Sequence, residues 1–297
     1  MYIIIVNSYA GKYRFQHIMT QLNTQLHIPF VTYFSDQYQG EDMWMEIENK
    51  IKEQKEGVTG FIVVGGDGTF HQTIQRLLPY NLPFGLIPTG SGNDFGRALK
   101  IPRNTRKAIE RINKQQPQLY DLMEVNGQKV LSVLGIGVDA ETAIKCQKSR
   151  IKKILNRALL GSLAYITVAL KTILTFRSFH VDIEVDNGKV HSFTRTWLIA
   201  AGNSSYYGGG IPICPTADPQ NEKLDLVIVH GLNAFQLFLV MPTVFLKKHV
   251  TLPYVTTLKG EQFSIKTKET IAVQGDGEEL GKTPVQVKVL KKAINIY

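Results

Sequence analysis

Residues 65 to 69 read Gly-Gly-Asp-Gly-Thr and follow the apolar run Phe61-Ile62-Val63-Val64. Glycines at a strand end let the main chain turn with positive φ and approach a ligand closely. Their N–H groups, with the start of a following helix, form an anion cradle suited to phosphate. The carboxylate of Asp67 would repel bare phosphate. It has a use there if it accepts a hydrogen bond from a sugar or base, or works with a divalent cation. The alternative is a tight turn with Asp67 as the helix cap. Thr89-Gly90-Ser91-Gly92-Asn93 repeats the arrangement after Leu86-Ile87-Pro88, with a helix expected from about Asn93-Asp94. Two such turns at neighbouring strand ends could hold one polyphosphate from both sides. A third turn, residues 7 to 12, adds Lys12 as a point charge. The candidate binding residues are therefore Lys12, Gly65, Gly66, Asp67, Gly68, Thr69, Thr89, Gly90, Ser91, Gly92 and Asn93.

A second source of chemistry is Gly275-Asp276-Gly277-Glu278. On an extended segment Asp276 and Glu278 share a face. Such a pair can bind a metal, or one member can take a proton from an attacking hydroxyl. A solvated hairpin turn is the other reading of Asp-Gly. Two nearby patterns are decoys. Residues 277–283 resemble a phosphate-binding P-loop, but Asp276 stands where glycine is required and Pro284 follows at once. Residues 134–140 form GxGxxA without the preceding strand–helix–strand context, and no acid about 20 residues on would hold a ribose. The histidines show no ligand spacing. The only two cysteines, Cys146 and Cys214, form no CxxC, which suits a reducing cytosol.

These residues need elements to hold them. Residues 1 to about 118 alternate strands, expected at 2–6, 29–34, 60–64 and 84–87, with helices at 14–26, 41–54, 70–78 and 104–114. That rhythm predicts an α/β domain with a mostly parallel sheet covered on both faces, whose ligands bind beyond the carboxyl ends of the strands. After residue 120 strands and turns dominate, with hairpin signals at Asn126-Gly127 and Asn187-Gly188. Further strands fit 224–229, 252–258, 261–267, 270–274 and 285–290, with helical patterns near 150–176 and 233–246. The second part reads as an antiparallel β-sandwich with a helical excursion. The domains expected are 1–120 and 121–290.

With 43% hydrophobic and 20% charged residues the chain is globular. Its first twelve residues lack the basic start and long apolar run of a signal peptide. The net charge of +9 points to an anionic partner, but no nucleic-acid-binding signature is present. Residues 155–176 and 232–246 are apolar but interrupted. Neither offers the about 20 apolar residues of a spanning helix, so they read as core-facing helices or as elements touching a membrane surface through basic flanks.

Gly65–Thr69, Pro88–Leu99, Leu134–Ala140 and Gly275–Glu278, in that order, resemble the diacylglycerol kinase catalytic-domain family, over nearly the whole chain. The resemblance makes the first domain a nucleotide domain and implies a two-domain NAD kinase/diacylglycerol kinase-like fold with its site in the cleft between domains and a last strand, about 291–297, returning to the first. It implies an ATP-dependent lipid kinase of lipid metabolism using Mg²⁺, with Asp276 as general base and Glu278 as metal-associated acid. The expected partners are a lipid substrate and an anionic membrane surface met through Lys152, Lys153, Lys247 and Lys248, with a homodimer left open. The expected location is cytoplasmic and peripherally membrane-associated. The alternatives are an NAD kinase-like enzyme and a non-catalytic nucleotide- or lipid-binding relative. The chain departs from the family at Ser8, Ala10, Gln72, Val168 and Asn221-Glu222. A neutral amide at Asn221, where an aspartate is usual, predicts that the second domain lacks a tight structural Mg²⁺.

Overall fold

The computed structural model describes residues 1–8, 15–54, 57–148 and 161–297. It divides into two compact units, Met1–Tyr120 with Lys292–Tyr297, and Asp121–Lys291.

In the first unit β1 (Tyr2–Val6) lies between β2 (Phe30–Phe34) and β3 (Gly60–Gly65), and β4 (Phe84–Pro88) pairs with β3, all in parallel. Every residue of β1, β3 and β4 is buried, as a sheet covered on both faces requires. On one face Ile18 and Leu22 of α1 (Phe15–Gln25) and Ile109 and Ile112 of α5 (Thr105–Asn113) cluster with Ile4, Val6, Ile62 and Val64. The unit also holds α2 (Asp42–Glu53), α3 (Asp67–Leu77) and α4 (Asp94–Ala98). Phe70 of α3 meets Phe84 edge-on and Phe95 of α4 in a tilted stack, with centroids 6.3 and 5.6 Å apart. At the chain's end Ile296 pairs in parallel with Phe84, and Tyr297 N–H donates to Phe84 O at 3.0 Å.

The second unit has two antiparallel layers. One runs β12–β11–β10–β7–β14–β15, formed by Val255–Gly260, Leu224–Val229, Leu198–Gly202, Val133–Gly137, Ala272–Gly275 and Glu278–Lys282. The other contains β16 (Val285–Ile296), β13 (Gln262–Thr267), β8 (Phe179–Val185) and β9 (Val190–Thr196). Leu134, Ile136, Ile199 and Leu226 from the first meet Val181, Ile183, Phe263 and Val287 from the second in one core. A second cluster joins Val133, Trp197 and Val227 of the first layer to Ile173 of α7 (Gly161–Thr175) and Leu237 of α8 (Ala234–Phe245).

Two turns show how sequence chooses geometry. Between β5 (Gln118–Val125) and β6 (Gln128–Val130), Asn126 and Gly127 both take positive φ, 50° and 83°, as a tight two-residue hairpin demands. Between β8 and β9 the expected Asn187-Gly188 pair is displaced by one residue. Asp186 and Asn187 hold φ of 52° and 54°, and Gly188 N–H donates to Val185 O at 2.9 Å. Asp and Asn tolerate the left-handed region, so the glycine is not needed there.

Residues 138–148 are helical where a strand-and-turn pattern was expected; α6 (Val138–Lys148) leaves β7 with no loop. Its buried residues include the small Ala140, Ala143 and Cys146, a weak apolar signal. The GxGxxA pattern is this junction. A Cβ at Gly135 would lie 1.8 Å from Asp139 Oδ2, and Gly137 has φ +94° with Trp197 O 2.5 Å from where a Cβ would be. Gly137→Ala should therefore cost about 2–4 kcal/mol, combining left-handed strain with a backbone clash. Gly127→Ala, with φ +83° but open space around it, should cost about 1 kcal/mol. Equal shifts of the urea midpoint for the two variants would show that the close approach at Gly137 contributes nothing.

Candidate functional site

In the first unit Gly65 pairs with Pro88, so the two glycine turns leave adjacent strand ends. They touch. A Cβ at Gly90 would lie 2.6 Å from Gly66 Cα, and one at Gly66 would lie 3.0 Å from Gly90 Cα. The glycines serve this approach rather than positive φ. Gly66 has φ −100°, and the left-handed residue of the second turn is Asn93, at φ 52°. Asn93 ties that turn together: its Oδ1 accepts Gly90 N–H at 3.1 Å and its Nδ2 donates to Gly90 O at 2.6 Å.

α3 begins at Asp67, not near residue 70 as its spacing suggested, because Gly66 is the helix cap. Asp67, Gly68 and Thr69 therefore form its first turn, where N–H groups lack partners from a preceding turn and the helix dipole favours an anion. Asp67 is not the cap. Its Oδ1 accepts Phe95 N–H at 3.3 Å, joining the start of α3 to α4. Gly68 is exposed, with nothing within 4 Å of where a Cβ would stand. Thr69 Oγ1 accepts from Asn7 Nδ2 at 2.9 Å, and its side chain packs where a Cβ on Gly65 would lie, 2.7 Å from Thr69 Cβ. Thr89 Oγ1 is buried with no hydrogen-bond partner among the described residues. Ser91 is exposed. Lys12, Lys152 and Lys153 lie outside the described residues.

Three contributors escaped the sequence reading. Asn7 bridges the end of β1 to Thr69. Arg97 and Arg103 both donate to Gly92 O, at 3.2 and 3.0 Å, and Arg97 also pairs with Asp94 at 2.9 Å. Two guanidinium groups thus stand at the second glycine turn. Arg97 lies in the quoted motif, but that both arginines reach one carbonyl depends on the fold.

In the second unit the carboxylate pair is not extended. Asp276 and Gly277 are the two central residues of a hairpin turn, at φ 52° and 90°, and Gly275 pairs with Glu278. The local Asp-Gly preference for left-handed backbone outweighs strand continuity. Asp276 and Glu278 therefore do not share a face as strand residues. Asp276 Oδ2 accepts Leu131 N–H at 2.6 Å, and Oδ1 accepts Ser132 N–H at 2.9 Å and Val133 N–H at 3.4 Å. Glu278 is exposed at the start of β15. Behind the turn Gln274 Oε1 accepts Gly277 N–H at 2.8 Å and Gln274 Nε2 donates to buried Asp139 at 2.9 Å.

The loop before β11 spends its oxygens locally. Asp218 Oδ1 accepts Gln220 N–H at 3.0 Å, Asn221 Oδ1 accepts Lys223 N–H at 2.9 Å, and Asp225 pairs with Lys259 at 2.9 Å. Glu222 takes φ 60°, and its N–H donates to Asp121 Oδ2 at 2.7 Å. No three His, Cys, Asp or Glu side chains converge on a metal position among the described residues. Burial, with Asp225 nearby, pushes the Cys214 thiol well up, so it is no nucleophile.

A parallel α/β unit with facing glycine turns, followed by an antiparallel sandwich carrying an Asp-Gly hairpin, defines the two-domain NAD kinase/diacylglycerol kinase-like class. The profile described as the diacylglycerol kinase catalytic domain matches residues 1–125, and the YegS C-terminal NAD kinase β-sandwich-like domain matches 132–297. The chain belongs to the diacylglycerol kinase catalytic-domain family. It is 29% identical to a "putative lipid kinase" of Staphylococcus haemolyticus, over 83% of this chain and 79% of that one. A Staphylococcus aureus protein of the same description is 28% identical, over 84% and 80%. A crystal structure of a "putative diacylglycerol kinase" from Bacillus anthracis superposes with a TM-score of 0.78 at 27% identity, covering 99% of this chain and 94% of that one.

The Gly66–Gly90 contact gives a test. Gly90→Ala must push two backbones apart, at about 1–3 kcal/mol, and Gly66→Val should do likewise. ATP affinity measured by calorimetry should fall at least tenfold in both. Unchanged affinity would place the nucleotide elsewhere.

Proposed function

We propose that the protein transfers the γ-phosphoryl group of ATP to the hydroxyl of a diacylglycerol-like lipid. The observation that carries this reading is the pair of touching glycine turns, with the buried, unpartnered Thr89 hydroxyl beside them and two arginines on Gly92 O. A Cβ would fill that space, and an unmatched buried hydroxyl is costly unless a ligand meets it. The residues therefore fit a polyphosphate. Amide groups of the first α3 turn, with Arg97 and Arg103, would hold its charge; Lys12 would add to it.

Phosphoryl transfer asks a protein chiefly for positioning and charge stabilisation. Mg²⁺, arriving with the nucleotide, would neutralise part of the phosphate charge, and Glu278, exposed at the start of β15, is the carboxylate assigned to it in this reading. In the proposed reaction the acceptor oxygen bonds to the γ-phosphorus, the bond to ADP breaks, and the hydroxyl proton passes to Asp276. The amides of Leu131 and Ser132 fix the orientation of that carboxylate before substrate arrives. The family and the relatives' names support a lipid acceptor, and a lipid acceptor would bring the working enzyme to a membrane surface.

Labelled ATP offered to a panel of lipid alcohols and to NAD, with products separated, tests the reaction. Phosphorylation of NAD alone would replace this reading with the NAD kinase-like one. Asp276→Asn tests the base. Asparagine suits the left-handed turn but offers one acceptor oxygen where two Oδ atoms now accept main-chain N–H. It should lose about 1–3 kcal/mol of stability as well as 10²–10⁴-fold (about 3–5 kcal/mol) in kcat. A stability loss with kcat within threefold of wild type would leave Asp276 as an anchor only.

A further inference from the structure

Helix α8 has no polar face. Within a twelve-residue helix only Leu237 is fully buried, with Val240, Met241 and Val244 packed partly against the same cluster. Its opposite side is apolar too. Phe235 is 72% exposed, Phe238 51%, Leu239 58%, Phe245 59% and Leu246, just past its end, 69%. At 3.6 residues per turn these five fall within an arc of about 120°, along about 16 Å of helix. Leu174, on α7, is 81% exposed, and α7 and α8 pack together. A helix apolar all round belongs in a core or against lipid, and here one side meets solvent. The expectation of a core-facing helix thus holds for only half of it.

Charge says what would cover that side. Residues 142–181 and 226–260, which include both helices, carry eleven of the 34 lysines and arginines and none of the 25 acids, leaving 23 against 25 elsewhere. Of the eleven, Lys247 and Lys248 are exposed and directly follow Leu246, and Lys171 is exposed on α7. A second copy docking through the same face would bring these lysines together, whereas an anionic lipid surface complements both features. Among the described residues no helix is long and apolar enough to cross a membrane.

We propose that α8 is a membrane-insertion element. Phe235, Phe238, Leu239, Phe245 and Leu246 would enter the acyl boundary, while Lys247 and Lys248 meet anionic headgroups. This rests on the lipid-acceptor reading for its choice of surface, and it adds an apolar anchor to an electrostatic one. The test uses vesicles of equal phosphatidylglycerol and phosphatidylcholine, brominated on the acyl chains and free of lipid alcohol. Phe238→Trp should gain fluorescence that these vesicles quench beyond the wild-type signal of Trp44 and Trp197. The variant Phe235→Ser/Phe238→Ser/Leu239→Ser/Phe245→Ser should lose at least 100-fold in vesicle partitioning and keep its melting temperature. Phosphorylation of a short-chain acceptor in solution should stay within threefold. Full vesicle binding by the serine variant, or an unquenched Trp at 238 on pelleted vesicles, would overturn the proposal. So would a wild-type dimer abolished by the serines with no vesicle binding, since a second copy would then own the patch. Vesicle binding by a protein that phosphorylates no lipid would sink the kinase reading and leave this one standing. Should the multiple variant fail to fold, the quenching measurement still decides.

Discussion

Everything in the first unit's candidate site depends on two main chains touching without side chains between them. Gly66 and Gly90 follow adjacent strands, and the room for a Cβ on either is taken by the Cα of the other. That contact brings the first turn of α3 beside Thr89 and beside the carbonyl to which Arg97 and Arg103 donate. The surrounding hydrogen bonds hold the pair from outside. Asn7 fixes Thr69, Asp67 reaches Phe95 N–H, and Asn93 clasps Gly90 from both ends. Two parallel strands set the spacing, and small residues let the turns use it.

What could be read in advance follows from this physics. Strands buried on both faces are continuous apolar runs, so β1, β3 and β4 were expected within a residue of where they lie. The order of glycine motifs likewise disclosed the family. The failures are equally specific. Glycines in the first turn of α3 read as loop, which hid its start. α6 hid because its strip is built from small side chains and it leaves β7 without a cap signal. Positive φ was the wrong reason for the cradle glycines, since propensity carries no information about a backbone arriving from elsewhere. The arginines on Gly92 O, Asn7 on Thr69 and Gln274 behind Gly277 are tertiary contacts, and no local spacing encodes them.

The loop before β11 shows a departure absorbed locally. Glu222 occupies left-handed backbone, where a side chain is strained. Its N–H donates to Asp121, and its carboxylate lies 3.7 Å from Lys291, which also pairs with Glu261 at 2.8 Å. Asp218 and Asn221 each accept an N–H two residues on, the short-range bond that lets these residues build a turn unaided. A loop held together this way does not need an ion to close it.

The two motif aspartates, read from sequence as chemistry, share a mechanical role. Asp67 accepts a main-chain N–H 28 residues away, and Asp276 accepts three from about 145 residues away, at Leu131, Ser132 and Val133. Each carboxylate sits in a glycine-rich turn, and each pins that turn to a distant segment. This is not an alternative to catalysis. A carboxylate whose orientation is settled by folding needs no reorganisation when a substrate proton must be met, which is the condition for effective positioning. It does mean that removing either carboxylate alters a turn, whatever its part in the proposed reaction. A lost rate at these positions carries mechanistic weight only beside a measured stability and a measured nucleotide affinity. The glycines differ in this respect: their contribution is the absence of an atom, and restoring it at Gly90 leaves both carboxylates chemically intact.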